Sequence, residues 1–200
     1  MRRDAETVTS NAPERQASPR ERIIAAARDL FYRQGIRAVG VEAVAEAAGT
    51  NKMTLYRHFP SKDELVAECL RDFAKEADAR WEALERAYPE PRARLRAWLT
   101  RVAEHVSASG ERGCALANAA VELPDKDHPA RQVIETFKKA QRQRLVQLCC
   151  DADLTQPELL ADELFLLLEG ALVCRQSIGL EGPGARFVRM GEAIMAAHET

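Results

Sequence analysis

Three times in this chain a Ser or Thr stands three residues ahead of a Glu and opens a run of apolar residues at helical spacing: Ser18-Pro19-Arg20-Glu21, Ser61-Lys62-Asp63-Glu64 and Thr155-Gln156-Pro157-Glu158. In such a capping box the hydroxyl accepts from the backbone N–H three residues on, so each box marks a helix start. Behind the first, Ile23, Ile24, Ala27, Leu30 and Phe31 keep one face until Gly35, which predicts a helix from Pro19 to Gln34. Behind the second, Leu65, Val66, Cys69, Leu70, Phe73, Ala77, Trp81 and Leu84 carry a long helix to Tyr88-Pro89. Behind the third come Leu159, Leu160, Leu164, Phe165, Leu168, Leu172 and Ile178. Alternation of strand type is nearly absent, and the expected fold class is all-α.

The remaining segments fit the same reading. Val41 to Ala48 makes a short helix with Gly40 at its cap and Gly49 at its end, and Lys52 to Phe59 makes another, with Asn51 as N-cap and Pro60 closing it. Further helices begin at Pro91, Cys114 and Pro129, and a last one follows Pro183 with Phe187, Met190, Ile194 and Met195 on one side. The total is nine, three small helices in front and six behind. Residues 1–17, polar and charged with Val8 the one large aliphatic side chain after Met1, are expected to be a disordered arm. Residues 18–62 then form a front domain and 63–200 a helical body. Two helices of under ten residues across a tight Gly-containing turn make the front domain a helix-turn-helix candidate.

Two hundred residues, 46% hydrophobic and 30% charged, suffice for a sizeable core without disulfides or metal. Five Cys, an odd number with no C-x-x-C pair, read as free thiols, and a disulfide between the neighbours Cys149 and Cys150 would be geometrically strained. No apolar run approaches the ~18 residues of a membrane helix, so a soluble cytoplasmic protein without a membrane partner is expected. A Gly-rich phosphate loop, H-E-x-x-H, a nucleophile elbow and His/Asp/Glu clusters at metal spacing are all missing, which argues against an enzyme and leaves no catalytic residue, metal or cofactor to nominate.

The net charge of −2 excludes a polycation. Divided at Lys62 it means something else: 11 Lys and Arg stand against 7 acids up to that residue, giving +4, and 18 against 24 after it, giving −6. The basic excess coincides with the helix-turn-helix candidate, where a phosphate-facing surface belongs. On its second helix, Leu55 and Phe59 share the face that packs inward. Lys52, Met53, Thr54, Arg57 and His58 populate the other faces; Lys52 and Lys62 can neutralise phosphates at either end, and Thr54, Tyr56 and His58 offer hydrogen-bonding groups.

Residues 21–70 resemble the tetracycline-repressor (TetR) family of bacterial transcriptional regulators. The resemblance rests on Ile23-x3-Ala27-x2-Leu30-Phe31-x3-Gly35, on Val41-x2-Val44-Ala45-x2-Ala48-Gly49, and above all on Leu55-Tyr56-Arg57-His58-Phe59-x-Ser61-Lys62-x2-Leu65. It implies a ligand-responsive repressor that binds a palindromic operator in double-stranded DNA as a homodimer and is released by a small-molecule inducer. Carried over by position, DNA contacts fall on Lys52, Met53, Thr54, Tyr56, His58 and Lys62, with Arg57 and Arg20 adding phosphate contacts. Gly40 replaces the usual Thr or Ser cap, and Met53 replaces a usually small residue, which suits an apolar contact to a thymine methyl. In the body the resemblance implies a ligand pocket among helices four to eight, with Trp81, Trp98, His105, Cys114, Asn118, Phe137, Gln141, Phe165 and Cys174 as candidate lining; Arg112-Gly113-Cys114-Ala-Leu-Ala-Asn118 is similar to a segment in one subset of the family. It also implies a dimer interface from the last two helices, where Gly170 and Ala171 allow close approach and Leu164, Leu168, Ala171, Leu172, Phe187 and Ile194 are the candidates.

Overall fold

The computed structural model describes residues 17–108, 112–179 and 181–199, so the predicted arm, Ala17 apart, lies outside the described residues. Its elements are α1 (Pro19–Gln34), α2 (Val41–Ala47), α3 (Lys52–His58), α4 (Lys62–Ala87), α5 (Pro91–Ser107), α6 (Ala115–Glu122), α7 (Pro129–Asp151), α8 (Pro157–Ile178) and α9 (Phe187–Ala197), with one 3-10 turn at Pro183–Arg186. No strand occurs among the described residues, and the all-α expectation holds.

Local chemistry accounts for most helix starts. Ser18 caps α1 with both halves of the capping box formed, Asn51 Oδ1 accepts from the Thr54 N–H at 2.9 Å, and Ser61 Oγ accepts from the Glu64 N–H at 3.1 Å. The third predicted box does not form. The Thr155 N–H and hydroxyl both donate to the His198 carbonyl, at 2.8 and 2.9 Å, while the buried His198 ring sets Nδ1 2.7 Å from the Thr155 carbonyl and Nε2 3.0 Å from the Glu163 carboxylate. Tying down the carbonyl after α9 and a buried imidazole takes precedence over capping α8. The cap falls to Gln156, left-handed at φ 49 and without a side-chain cap hydrogen bond.

Packing divides into two apolar clusters. One gathers Ile23, Ala27, Val44, Leu55 and Phe59 from the three front helices, Leu65 and Val66 from α4, Leu116, Ala119 and Leu123 from α6, and Ala130 and Ile134 from α7. The other holds Leu84, Leu95, Leu99, Leu145, Leu160, Leu164 and Phe187 in the lower body. α7 packs between α4 and α8, and α9 lies against α8 and α5. The front helices are thus buried against one another and, through α1, against α4, with side chains of α6 and α7 completing the cluster.

All five cysteines are free thiols, as expected. Burial pushes the Cys69 thiol up to about 12, and burial, with Cys150 adding to it, does the same to Cys149. At pH 8 a water-soluble disulfide reagent should therefore label exposed Cys150 first and reach Cys69 and Cys149 only when the protein unfolds, as peptide mapping of the labelled protein would show. A second expectation concerns Gln156: replacement by Gly removes a left-handed side chain and should raise stability by about 0.5–1 kcal/mol in a denaturant titration.

Candidate nucleic-acid interface

The turn between α2 and α3 is built from the backbone outward. The Thr50 N–H donates to the Ala45 carbonyl at 2.9 Å, Gly49 takes φ +60, and Arg22 of α1 donates Nε to the Ala48 carbonyl at 3.1 Å. α3 is then oriented by Leu55, fully buried, and Phe59 just beyond it. With these two inward, Lys52, Met53, Tyr56 and Arg57 stand together on the exposed side, Met53 with 83% of its surface free. Positions i, i+1, i+4 and i+5 of a helix form one stripe, so four of the eight predicted contact residues share one exposed face of an element that a major groove admits.

The other four are placed differently. Thr54 sits half-buried at the edge of the stripe, and the half-buried His58 ring lies beside Phe59, centroids 6.5 Å apart, with Nε2 buried and unpartnered. Lys62 turns back to donate Nζ to the Ile36 carbonyl at 2.6 Å, its ammonium 5.8 Å from the centre of the Phe31 ring. Arg20 pairs with Glu68 at 2.5 Å and lies 5.3 Å from the centre of the Phe59 ring. Lys62 and Arg20 thus have partners on other helices and turns of the protein, whereas His58 Nε2 has none among the described residues.

Electrostatics on the stripe is set by one pair. Lys52 Nζ lies 2.5 Å from Glu42 Oε1 of α2; the hydrogen bond from Lys52 holds the Glu42 carboxyl below its ordinary range, and the same bond raises the Lys52 ammonium. A phosphate approaching Lys52 has to displace Glu42.

In the body, four of the nine pocket candidates come together around a residue the sequence reading passed over. Lys138 Nζ of α7 lies 2.6 Å from Glu169 Oε1 of α8 and 3.5 Å from both Cys114 Sγ and Gln141 Oε1, with the Phe137 and Phe165 ring centres 5.9 and 5.7 Å away. Asn118 donates to the Arg112 carbonyl at 2.7 Å and accepts from Gln176 at 3.4 Å. Cys174 is half-buried on α8. The other three stand apart: Trp98 packs edge-on against Phe187, Trp81 donates to Glu85, and His105 is exposed in an open groove between α4 and α5.

Of the dimer candidates, Leu164, Leu168, Ala171, Leu172 and Phe187 are buried in the chain's own second apolar cluster, and Ile194 is half-buried against it. The face of α8 that stays open carries Leu159, Leu166 and Val173, seven residues apart, with Leu166 70% exposed and with open space beyond Gly170; Met190 of α9 is exposed as well.

Comparison with known proteins places this geometry. Residues 23–69 match the family model described as bacterial regulatory proteins, tetR family. The HTH-type transcriptional repressor KstR2 of Mycolicibacterium smegmatis is 38% identical over 63 residues, 32% of this chain and 31% of that protein, so the match spans under a third of the relative. The HTH-type transcriptional regulator YjdC of Escherichia coli is 27% identical over 154 residues, 76% of this chain and 81% of the relative. Among solved structures, the TetR-type regulator sav143 of Streptomyces avermitilis superposes with a TM-score of 0.80 and 33% identity, covering 91% of this chain and 98% of that one. The chain belongs to the TetR family. SCO4454 of Streptomyces coelicolor, at TM-score 0.84 and 24% identity over 91% of this chain and 96% of its own, shares the fold. Like its relatives, this TetR-family chain is a helix-turn-helix transcriptional regulator and not an enzyme.

Residues that position the TetR-type reading helix without any motif to announce them are Arg22, Glu42 and Glu122. Glu42 alone had a visible signal, an acid on the helix preceding the one that carries Lys52 and Arg57. Because Lys52 is engaged by it, Glu42→Gln should strengthen DNA binding a few-fold at low salt and steepen the salt dependence of log K by about one unit, read by fluorescence anisotropy across a salt series.

Proposed function

We propose that this regulator is a cytoplasmic repressor that binds a pseudo-palindromic operator as a homodimer and leaves it when a small molecule enters the helical body. The observation that carries the reading is the stripe of Lys52, Met53, Tyr56 and Arg57, exposed together on a short helix whose opposite face is anchored by Leu55 and Phe59. One such stripe meets few base edges, and a front segment of charge +4 neutralises few phosphates. Useful affinity therefore calls for two heads on one operator, with half-sites about 34–36 Å apart or a multiple of that. Lys52 and Arg57 supply phosphate contacts, Met53 an apolar contact, and Tyr56 and Thr54 hydrogen bonds. Lys62 and Arg20 join them on DNA by exchanging their present protein partners for phosphates, and His58 brings an Nε2 that has no hydrogen-bond partner among the described residues.

The second copy is met through the exposed apolar positions Leu159, Leu166 and Val173 of α8 with Met190 of α9, a surface whose outward apolar character favours isologous pairing. The inducer is received near Lys138 and Glu169, where a part-buried charge pair is ringed by Cys114, Phe137, Gln141 and Phe165. Its identity is open to thermal-shift screening. Repression is the sense in which the KstR2 relatives are described.

Selection from random DNA followed by gel shift tests the whole reading. A two-fold symmetric site should emerge, and the double variant Leu166→Asp with Val173→Asp should sediment as a monomer with a folded head and lose at least about a hundredfold in operator affinity, as expected when two linked heads become one. Emergence of no preferred sequence, or a variant that stays dimeric, contradicts it.

A further inference from the structure

The connection between α1 and α2 decides where the reading helix points, and it is held from outside the front segment. Glu122, the last residue of α6, extends its carboxylate to the turn after α1: Oε2 accepts from the Ile36 N–H at 2.7 Å and the Arg37 N–H at 3.2 Å. On the other side Lys62 of α4 takes the Ile36 carbonyl at 2.6 Å. Gly35 is bound to the same arrangement twice over, since its φ of +91 favours glycine and a Cβ there would stand 3.2 Å from Glu122 Oε2. An acid at a helix C-terminus opposes the helix dipole, so the placement of Glu122 gains nothing within α6 itself. Its contacts lie 85 and 86 residues away.

The segment preceding α6 grips the same end of α1. Arg112 donates Nη1 to the Tyr32 carbonyl at 2.6 Å, the Arg112 N–H donates to the Tyr32 hydroxyl, and that hydroxyl donates to the Gly113 carbonyl at 3.1 Å. Arg131 of α7 secures α6 through the Ala120 carbonyl at 2.8 Å. Between these bonds lies a void of about 30 Å³, lined by Phe31, Tyr32, Ile36, Arg112, Asn118 and Glu122. Hydrogen bonds therefore carry part of a junction whose packing is incomplete, and such bonds are lost together when one side moves.

We infer that Glu122 is a positioning residue for operator recognition: by holding residues 36 and 37 it makes the orientation of α2 and α3 and the position of α6 one equilibrium. The inference rests on the DNA-binding reading of α3 above. By linkage, a head fixed by DNA must then tighten α6, and a displaced α6 must loosen the head.

Hydrogen exchange of the full chain, with and without a palindrome selected from random DNA, reads this reciprocity. In the wild type, DNA should slow exchange at residues 52–58 and also at 115–123, far from the stripe. Glu122→Ala should bind about tenfold more weakly, because the competent orientation is less populated. At saturating DNA its residues 52–58 should be protected and 115–123 should not. Glu122→Gln, which keeps an acceptor oxygen in place, should restore part of the α6 response. A cap that only stabilised the fold would leave the α6 response intact in Glu122→Ala, and that result overturns the inference. So does a wild-type α6 that ignores DNA while α3 responds, a measurement that stands even if Glu122→Ala fails to fold. A wild-type α3 that shows no protection instead removes the DNA-binding reading, and the inference with it.

Discussion

The apolar cluster running from Ile23 to Ile134 is what the rest of the molecule depends on. α2 and α3 have seven residues each, well below the ~12–15 at which a helix is even marginal alone in water. They exist because Val41, Val44, Ala45 and Leu55 are buried, and those side chains find cover on α1 and α4. Since Leu116, Ala119, Leu123, Ala130 and Ile134 complete the same cluster, the reading helix is packed, through few intermediaries, against the part of the body nearest it.

Charge refines what packing has arranged. Arg28 of α1 reaches Asp72 and Glu76 of α4 at 2.9 and 2.6 Å and lies 4.1 Å from the Phe73 ring centre; its hydrogen bond holds the Glu76 carboxyl below the ordinary range. Arg142 pairs with Asp162 across α7 and α8, and Arg144 with Asp78 across α7 and α4. Half-exposed pairs of this kind contribute little stability each and set helix register more than they hold helices together. The Lys52–Glu42 pair differs in consequence, since it occupies a cation that the exposed stripe needs.

Much of this could be read from the chain. Capping at Ser18, Asn51 and Ser61, the stop at Gly35, the nine helices found among the described residues and the inward face of α3 follow from neighbours three or four residues apart, and the structure has most helix starts within a residue or two. Thr155 shows where such reading ends: its pattern matched that of Ser18, yet its hydroxyl went to His198, 43 positions on. Among the predicted DNA-contact residues, the exposure of Lys52, Met53, Tyr56 and Arg57 followed from helical geometry, whereas the protein partners of Lys62 and Arg20 did not. A long cationic side chain serves a phosphate, a carbonyl or a carboxylate equally well, and spacing cannot choose among them.

α8 makes the same point for apolar residues. It carries hydrophobic side chains on more than one face, and composition does not reveal which face the protomer keeps. The fold turned Leu164, Leu168 and Leu172 inward and left Leu159, Leu166 and Val173 outside. Helix boundaries, turn chemistry and fold class were written locally, because backbone hydrogen bonds, caps and periodicity span one or two turns of chain. The partners of Glu122, Lys62 and His198, and the covered face of α8, arose from contacts between residues tens of positions apart, whose energies depend on which helices meet.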